Sequence, residues 1–187
     1  MRNLLLRFLN APFFVLLVAA AVAVQSTLFN AYPLWYFQPD LVLIAVIWCA
    51  LRRTLTEGGI LVLIFAGVVE THSSAPAGFF ACVYMAIFLG IRAFSRFFVI
   101  SQFASLLVVT IASAIAFKTL VLVVLATLGL AGAQATHFLI TVLPFAGMEG
   151  LMGYWAYKAL DAFDRKTTKS ESSRQLIEDE LLVEEGL

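Results

Sequence analysis

The chain has 187 residues, of which 62% are hydrophobic and 13% charged, against roughly 45–50% apolar and 25% charged in an ordinary soluble domain. With a mean hydropathy of +0.97, that composition excludes intrinsic disorder over most of the length and points to a membrane as the solvent. Lys and Arg number 12 and Asp and Glu number 12, so no charge excess marks nucleic acid as a partner.

Six apolar segments follow one another. The first runs from about residue 8 to 29, behind Arg2 and Arg7. Its basic start and Ala21-Val22-Ala23 imitate a signal peptide, but five more segments follow, so it reads as an uncleaved anchor. Ala19 and Ala23 lie four apart on it, a spacing that lets helices approach closely. Tyr32, Trp35 and Tyr36 then mark an outer interface, where amphipathic rings concentrate. Asp40 opens the second segment, 40–51, and the third and fourth cover 58–69 and 78–91. Twelve residues of helix reach only about 18 Å against a hydrocarbon core of about 30 Å. The second and third segments therefore cannot span alone, and irregular chain must lie at membrane depth, sheltered by protein or a water-filled cavity. The fifth, 102–132, errs the other way at about 46 Å. The sixth, 136–159, carries a second small-residue stripe, Gly147, Gly150 and Gly153. Cys49 and Cys82 sit inside apolar runs and read as small buried hydrophobes rather than a disulfide or metal framework.

Basic residues orient the crossings, because Lys and Arg are retained on the cytoplasmic side. Arg2 and Arg7 precede segment one, Arg52 and Arg53 separate two from three, and Arg92 and Arg96 separate four from five. Lys158, Arg165, Lys166, Lys169 and Arg174 follow six. Loops 30–39, 70–77 and 133–135 carry none. Eleven of the 12 basic residues thus fall on one face if there are six spans with both termini cytoplasmic. Splitting the fifth segment would put the Lys158–Arg174 cluster outside, and making 40–69 a re-entrant loop would leave Arg52 and Arg53 in lipid. The expected fold is an all-α integral membrane protein, residues 1–164 forming six transmembrane helices of uneven length.

The remaining basic residue, Lys118, lies inside segment five, about 22 Å from its outer end. Glu149 lies about 18 Å into segment six. An ionisable group at such depth is costly and calls for a named partner. Consecutive antiparallel helices bring these two to similar depth, which predicts an intramembrane ion pair. Asp40 and Glu70 fall near the outer rim. Catalytic strings are missing: no G-x-x-x-x-G-K-[ST], H-E-x-x-H or G-x-S-x-G is present. Glu70-Thr71-His72-Ser73-Ser74 holds a serine beside a histidine, but neighbours in sequence do not face each other, so it reads as a polar turn. The chain is read as no enzyme, without metal or cofactor.

From Arg165 the composition turns polar. Residues 165–187 form an acidic cytoplasmic tail, in which Ser172 and Gln175 fit a capping box before Leu176, Ile177, Leu181, Leu182 and Val183. A short amphipathic helix there would suit a cytoplasmic protein partner better than anionic lipid. The zero net charge divides into +3 over residues 1–157 and −3 over 158–187.

Pro39-Asp40-Leu41, Leu51-Arg52-Arg53, Glu57-Gly58, Gly67, an acidic residue at 70, Ser73, Pro76, Gly78 and Leu89-Gly90-Ile91-Arg92 occur in that order. Over residues 25 to 160 the chain resembles the MreD family of bacterial rod shape-determining membrane proteins. It departs from that family in having Glu70 where Asp is common, and Thr71-His72 inserted before the serine. The resemblance implies a non-catalytic scaffold of the cell-elongation machinery in the bacterial cytoplasmic (inner) membrane. It would bind the bitopic protein MreC and through it the wall-synthesis machinery, organising lateral-wall peptidoglycan synthesis. It also implies a fold similar to the substrate-binding subunits of energy-coupling-factor transporters. Outer-rim contacts would then involve Asp40, Glu70, Ser73, Pro76 and Gly78. The alternative is a substrate-binding subunit of a vitamin-type transporter, for which Asp40, Glu70, His72, Ser73 and Gln134 make a thin polar lining.

Overall fold

The computed structural model describes residues 2–28, 38–95, 103–129, 132 and 134–167, with side chains for 12–28, 38–95, 104–129, 132, 138 and 140–164. Tyr32, Trp35, Tyr36, Arg96 and the tail from 168 lie outside the described residues, as do the side chains of Arg2, Arg7, Gln134, His137, Arg165 and Lys166. Six helices make up the described chain: α1 (Arg2–Leu28), α2 (Leu41–Arg52), α3 (Leu55–Thr71), α4 (Phe79–Ser95), α5 (Phe103–Thr127) and α6 (Gln134–Thr167). The protein is all-helical over these residues.

The shortest helix is the axis. Along α2 every residue from Val42 to Ala50 is buried, and the helix packs against α1, α3, α4, α5 and α6. A helix apolar on all sides needs protein or lipid around it, and here protein surrounds it. Phe14 of α1 stacks on Trp48 at 4.7 Å between ring centroids, and Phe65 and Phe88 close the other sides, both wholly buried. Outside, the surface is equally apolar: Leu16, Phe94, Val108, Leu143, Leu151 and Trp155 are all well exposed.

Local chemistry sets the helix ends. Thr54 accepts from the Glu57 N–H at 3.3 Å and starts α3 three residues before the expected segment. At the far end of α5, Gly129 has φ +73°, a left-handed conformation that ends helices and that side chains resist. The fifth helix therefore stops at Thr127 rather than 132, and its 25 residues reach about 37 Å rather than 46 Å. Conversely α6 runs on to Thr167, past the expected boundary at 159. Cys49 is buried as expected, but Cys82 is exposed on α4.

One described stretch, Ala104–Thr127 within α5, is long and apolar enough to cross a membrane. Pro12–Leu28, Leu41–Arg52 and Phe79–Ser95 are shorter apolar helices.

Candidate functional site

A buried helix must satisfy its first N–H groups without water. The start of α2 does so with two carboxylates. Asp40 is its N-cap, and one oxygen accepts from the Val42 and Leu43 N–H groups, each at 3.0 Å. The other accepts from the Tyr84 hydroxyl of α4 at 2.8 Å. The N–H of Asp40 itself donates to Glu149 Oε2 of α6 at 2.7 Å. Gln25 of α1 donates to the Pro39 carbonyl. Four helices thus converge on Pro39-Asp40, drawn by unmet backbone polarity in an apolar core. Glu149 is 0% exposed, and its Oε1 has no partner.

Lys118 does not join Glu149 as expected. Among the described residues its ammonium meets no carboxylate within 4.0 Å, and it lies instead over the Phe145 ring, 4.3 Å from the centroid. Helix register explains the correction. A Cβ on Gly153 would come within 2.5 Å of Thr110 Cγ2, and one on Gly150 within 2.7 Å of Ile111 Cγ1, so α5 and α6 are locked antiparallel at these contacts. Continued along the helices, that register sets Phe145 opposite Lys118 and Ala114 opposite Glu149. The lysine and glutamate miss by one turn, about 6 Å. Gly147 has open space beside it, while Ala23 is exposed and Ala19 half-buried. Within the chain, Gly150 and Gly153 are the members of the expected stripe that meet another helix closely.

Beside this centre lies a cavity of about 370 Å³. Gln25, Asp40, Tyr84, Lys118 and Thr141 provide its polar lining. Val22, Val42, Val69, Phe80 and Phe145 form apolar walls, and Ser26, Gln38, His72 and Ser73 complete the lining. The expected outer-rim group divides here. Asp40 and Ser73 line the cavity, whereas Glu70, Pro76 and Gly78 build the α3–α4 turn. Glu70 accepts from the Gly78 and Ala81 N–H groups, both at 3.1 Å, and the Pro76 carbonyl accepts from Phe79. These N–H groups, Gly78's first, hold the Glu70 carboxyl below its usual range. His72 and Ser73 do not form a nucleophile–base pair: His72 Nδ1 lies 2.9 Å from the Val68 carbonyl and 3.0 Å from the Thr71 hydroxyl. Ser73 Oγ accepts from Ala75 N–H at 3.1 Å.

The opposite end of α2 carries the other polar cluster. Arg53, 5% exposed, bonds Glu57 of α3 at 2.7 Å and Asp164 of α6 at 2.6 Å. Arg92 of α4 donates to the Arg53 carbonyl at 2.6 Å. Arg52 meets Asp161 at 3.3 Å and Tyr157 at 2.9 Å. Asp40 and Glu149 are 109 residues apart, as are Arg52 and Asp161, so α2 and the second half of α6 run parallel in one register, fastened at both ends. Neither cluster was legible as a site. Asp40 opening an apolar run is compatible with the N-cap that the structure shows, and Tyr84 is a lone polar group on the buried face of α4.

On the outside, between α4 and α5, runs an apolar groove of about 640 Å³. Small residues, Ala86, Gly90, Ala104, Ala112, Ser113 and Ala116, make much of its lining. No family model, no curated protein and no solved structure matches the chain.

Proposed function

We propose that this chain is a multi-pass scaffold of the bacterial cytoplasmic membrane, of the MreD type. In this reading it has no chemistry of its own. It binds a bitopic MreC-like partner and through it helps organise lateral-wall peptidoglycan synthesis. The observation that carries the reading is the α4–α5 groove. Its lining from Ala104 to Leu120 extends over about 24 Å of helix, most of a hydrocarbon core of about 30 Å. Small side chains along such a surface let a second helix approach closely, which is how membrane helices gain packing energy where lipid is as apolar as leucine.

The motif residues support the family reading through what they do. Asp40 caps α2, Glu57 bonds Arg53, and Glu70 caps α4. Gly58 sits where a Cβ would come within 2.9 Å of the Phe88 ring.

Six spans with both termini cytoplasmic fit the same arrangement. Arg52, Arg53 and Arg92 gather at one end of the bundle, and the stack of Phe13 on Phe163 at 4.0 Å brings the α1 side that follows Arg2 and Arg7 to the C-terminal part of α6. Exposed Leu16, Leu143 and Trp155 suit lipid as the surrounding solvent. Helices of uneven length are also what a fold similar to the energy-coupling-factor substrate-binding subunits would bring. The acidic tail would meet a cytoplasmic protein.

The test is co-purification from the native membrane. A bitopic partner should be retained by the wild type and lost when Ala112→Phe and Ala116→Phe fill the groove, with expression and unfolding temperature unchanged. Equal retention by the filled variant would remove the groove from the reading. The polar cavity favours a second reading, a vitamin-type transporter subunit. A vitamin surviving purification, detected by native mass spectrometry, would replace the scaffold with it.

A further inference from the structure

We infer that the cavity beside the α2 N-terminus is a binding site for a small molecule with one carboxylate and an apolar body, and that Lys118 is its counter-ion. The inference goes beyond the scaffold reading and stands without it.

Hydrogen-bond accounting leads there. Asp40 already receives three donors, from Val42, Leu43 and Tyr84. The Tyr84 hydroxyl is spent on Asp40, the Gln25 amide on Pro39, and Thr141 is engaged as well. Lys118 is the charged group left without a hydrogen bond. It carries three N–H donors, yet among the described residues none makes a hydrogen bond: the ammonium lies over the face of Phe145, and the Asp40 and Glu149 carboxylates act on it only from a distance. A ring quadrupole satisfies a cation only in part. The strongest unmet demand of the cavity is therefore an acceptor for an ammonium group, and a negatively charged acceptor meets it best.

The same accounting argues against a ligand amine. A second cation would stand beside Lys118 while competing for an Asp40 carboxylate that the α2 N-terminus and Tyr84 already hold. A dianion would face Asp40 and Glu149, so one negative charge is the best match. Val22, Val69, Phe80 and Phe145 would surround the rest of the ligand with apolar surface, and about 370 Å³ falls within the range of roughly 300–1,000 Å³ typical of small-molecule sites. The one-turn offset between Lys118 and Glu149 matters here. A direct ion pair would have consumed the cation, whereas the actual register leaves it facing the cavity.

The experiment uses the full chain in nanodiscs and isothermal titration with benzoate, benzyl alcohol and benzylamine, each corrected by empty nanodiscs. Benzoate should bind roughly tenfold to a hundredfold tighter than benzyl alcohol, as a charge-assisted hydrogen bond implies, and benzylamine should bind weakest. Lys118→Met should abolish the benzoate advantage and leave benzyl alcohol unchanged, while Lys118→Arg should keep most of it. Benzylamine binding as tightly as benzoate would overturn the inference. So would an undiminished benzoate affinity in Lys118→Met, or no saturable benzoate binding in the wild type. The isolated chain suffices, so the result is independent of whether a bitopic partner exists.

Discussion

Glu70 lies one residue beyond the third apolar segment, and its two oxygens cap the next helix by accepting the Gly78 and Ala81 N–H groups. A carboxylate placed there satisfies donors that have no partner within the helix and meets the positive end of its dipole. Glu70→Ala should cost about 0.5–1 kcal/mol, toward the low end because the site is half-exposed. These bonds lower the folded-state pKa below the ordinary 4.5. The contribution is then complete above that value and is lost as pH falls through the lower folded-state one. Thermal unfolding in detergent should show a gap between wild type and Glu70→Ala near neutral pH that closes in acid. A gap of constant size across that range would mean that the charge is not what holds the turn.

Between helices, close approach and register decide more than charge does. The contacts of Gly150 and Gly153 with α5 fix how α5 and α6 slide past each other, and that register determines which residue faces Lys118. Gly153→Ala would force a methyl into Thr110, 2.5 Å away. It should destabilise by about 1–3 kcal/mol, as overpacking does. Gly147→Ala, with nothing within 4 Å, should be neutral or slightly stabilising, since alanine is the better helix former. Chemical unfolding of both variants in mixed micelles separates them, and equal effects would refute the register. At this scale α2 also finds its explanation: too short to span, it is enclosed by five neighbours and fastened to α6 at both ends.

For the whole molecule, the Arg53 cluster ties the chain together across long sequence distances. Arg53 joins α2 to Glu57 on α3 and to Asp164 on α6, and its carbonyl receives Arg92 from α4. Removing one partner from a buried charge network leaves the others uncompensated, which costs several kcal/mol. Arg53→Ala should therefore lower stability by about 2–4 kcal/mol. Arg52→Ala, whose side chain is 45% exposed, should cost about 1 kcal/mol or less. Unfolding midpoints of the two variants test this contrast, and a larger loss in Arg52→Ala would contradict it. The two ends of the bundle differ in kind: this one is tightly cross-bonded, and the other keeps a cavity with a cation facing into it.

Composition and charge by themselves determined that the chain is an apolar helical bundle in which α2 is too short to cross a bilayer alone. Those properties are local, since hydropathy, helix rise and capping residues act over a few neighbours. Asp40 before an apolar run could be read as a start signal, but not as the meeting point of four helices. The turn built by Glu70, Pro76 and Gly78 was visible as a motif, yet its work, capping the following helix, became clear only from the hydrogen bonds. Depth along each helix brings Lys118 and Glu149 to a similar level but does not fix which side chains face each other. Only the tertiary structure decided that contact: helix register is set by steric contact at Gly150 and Gly153, and a shift of one turn changes which side chains meet.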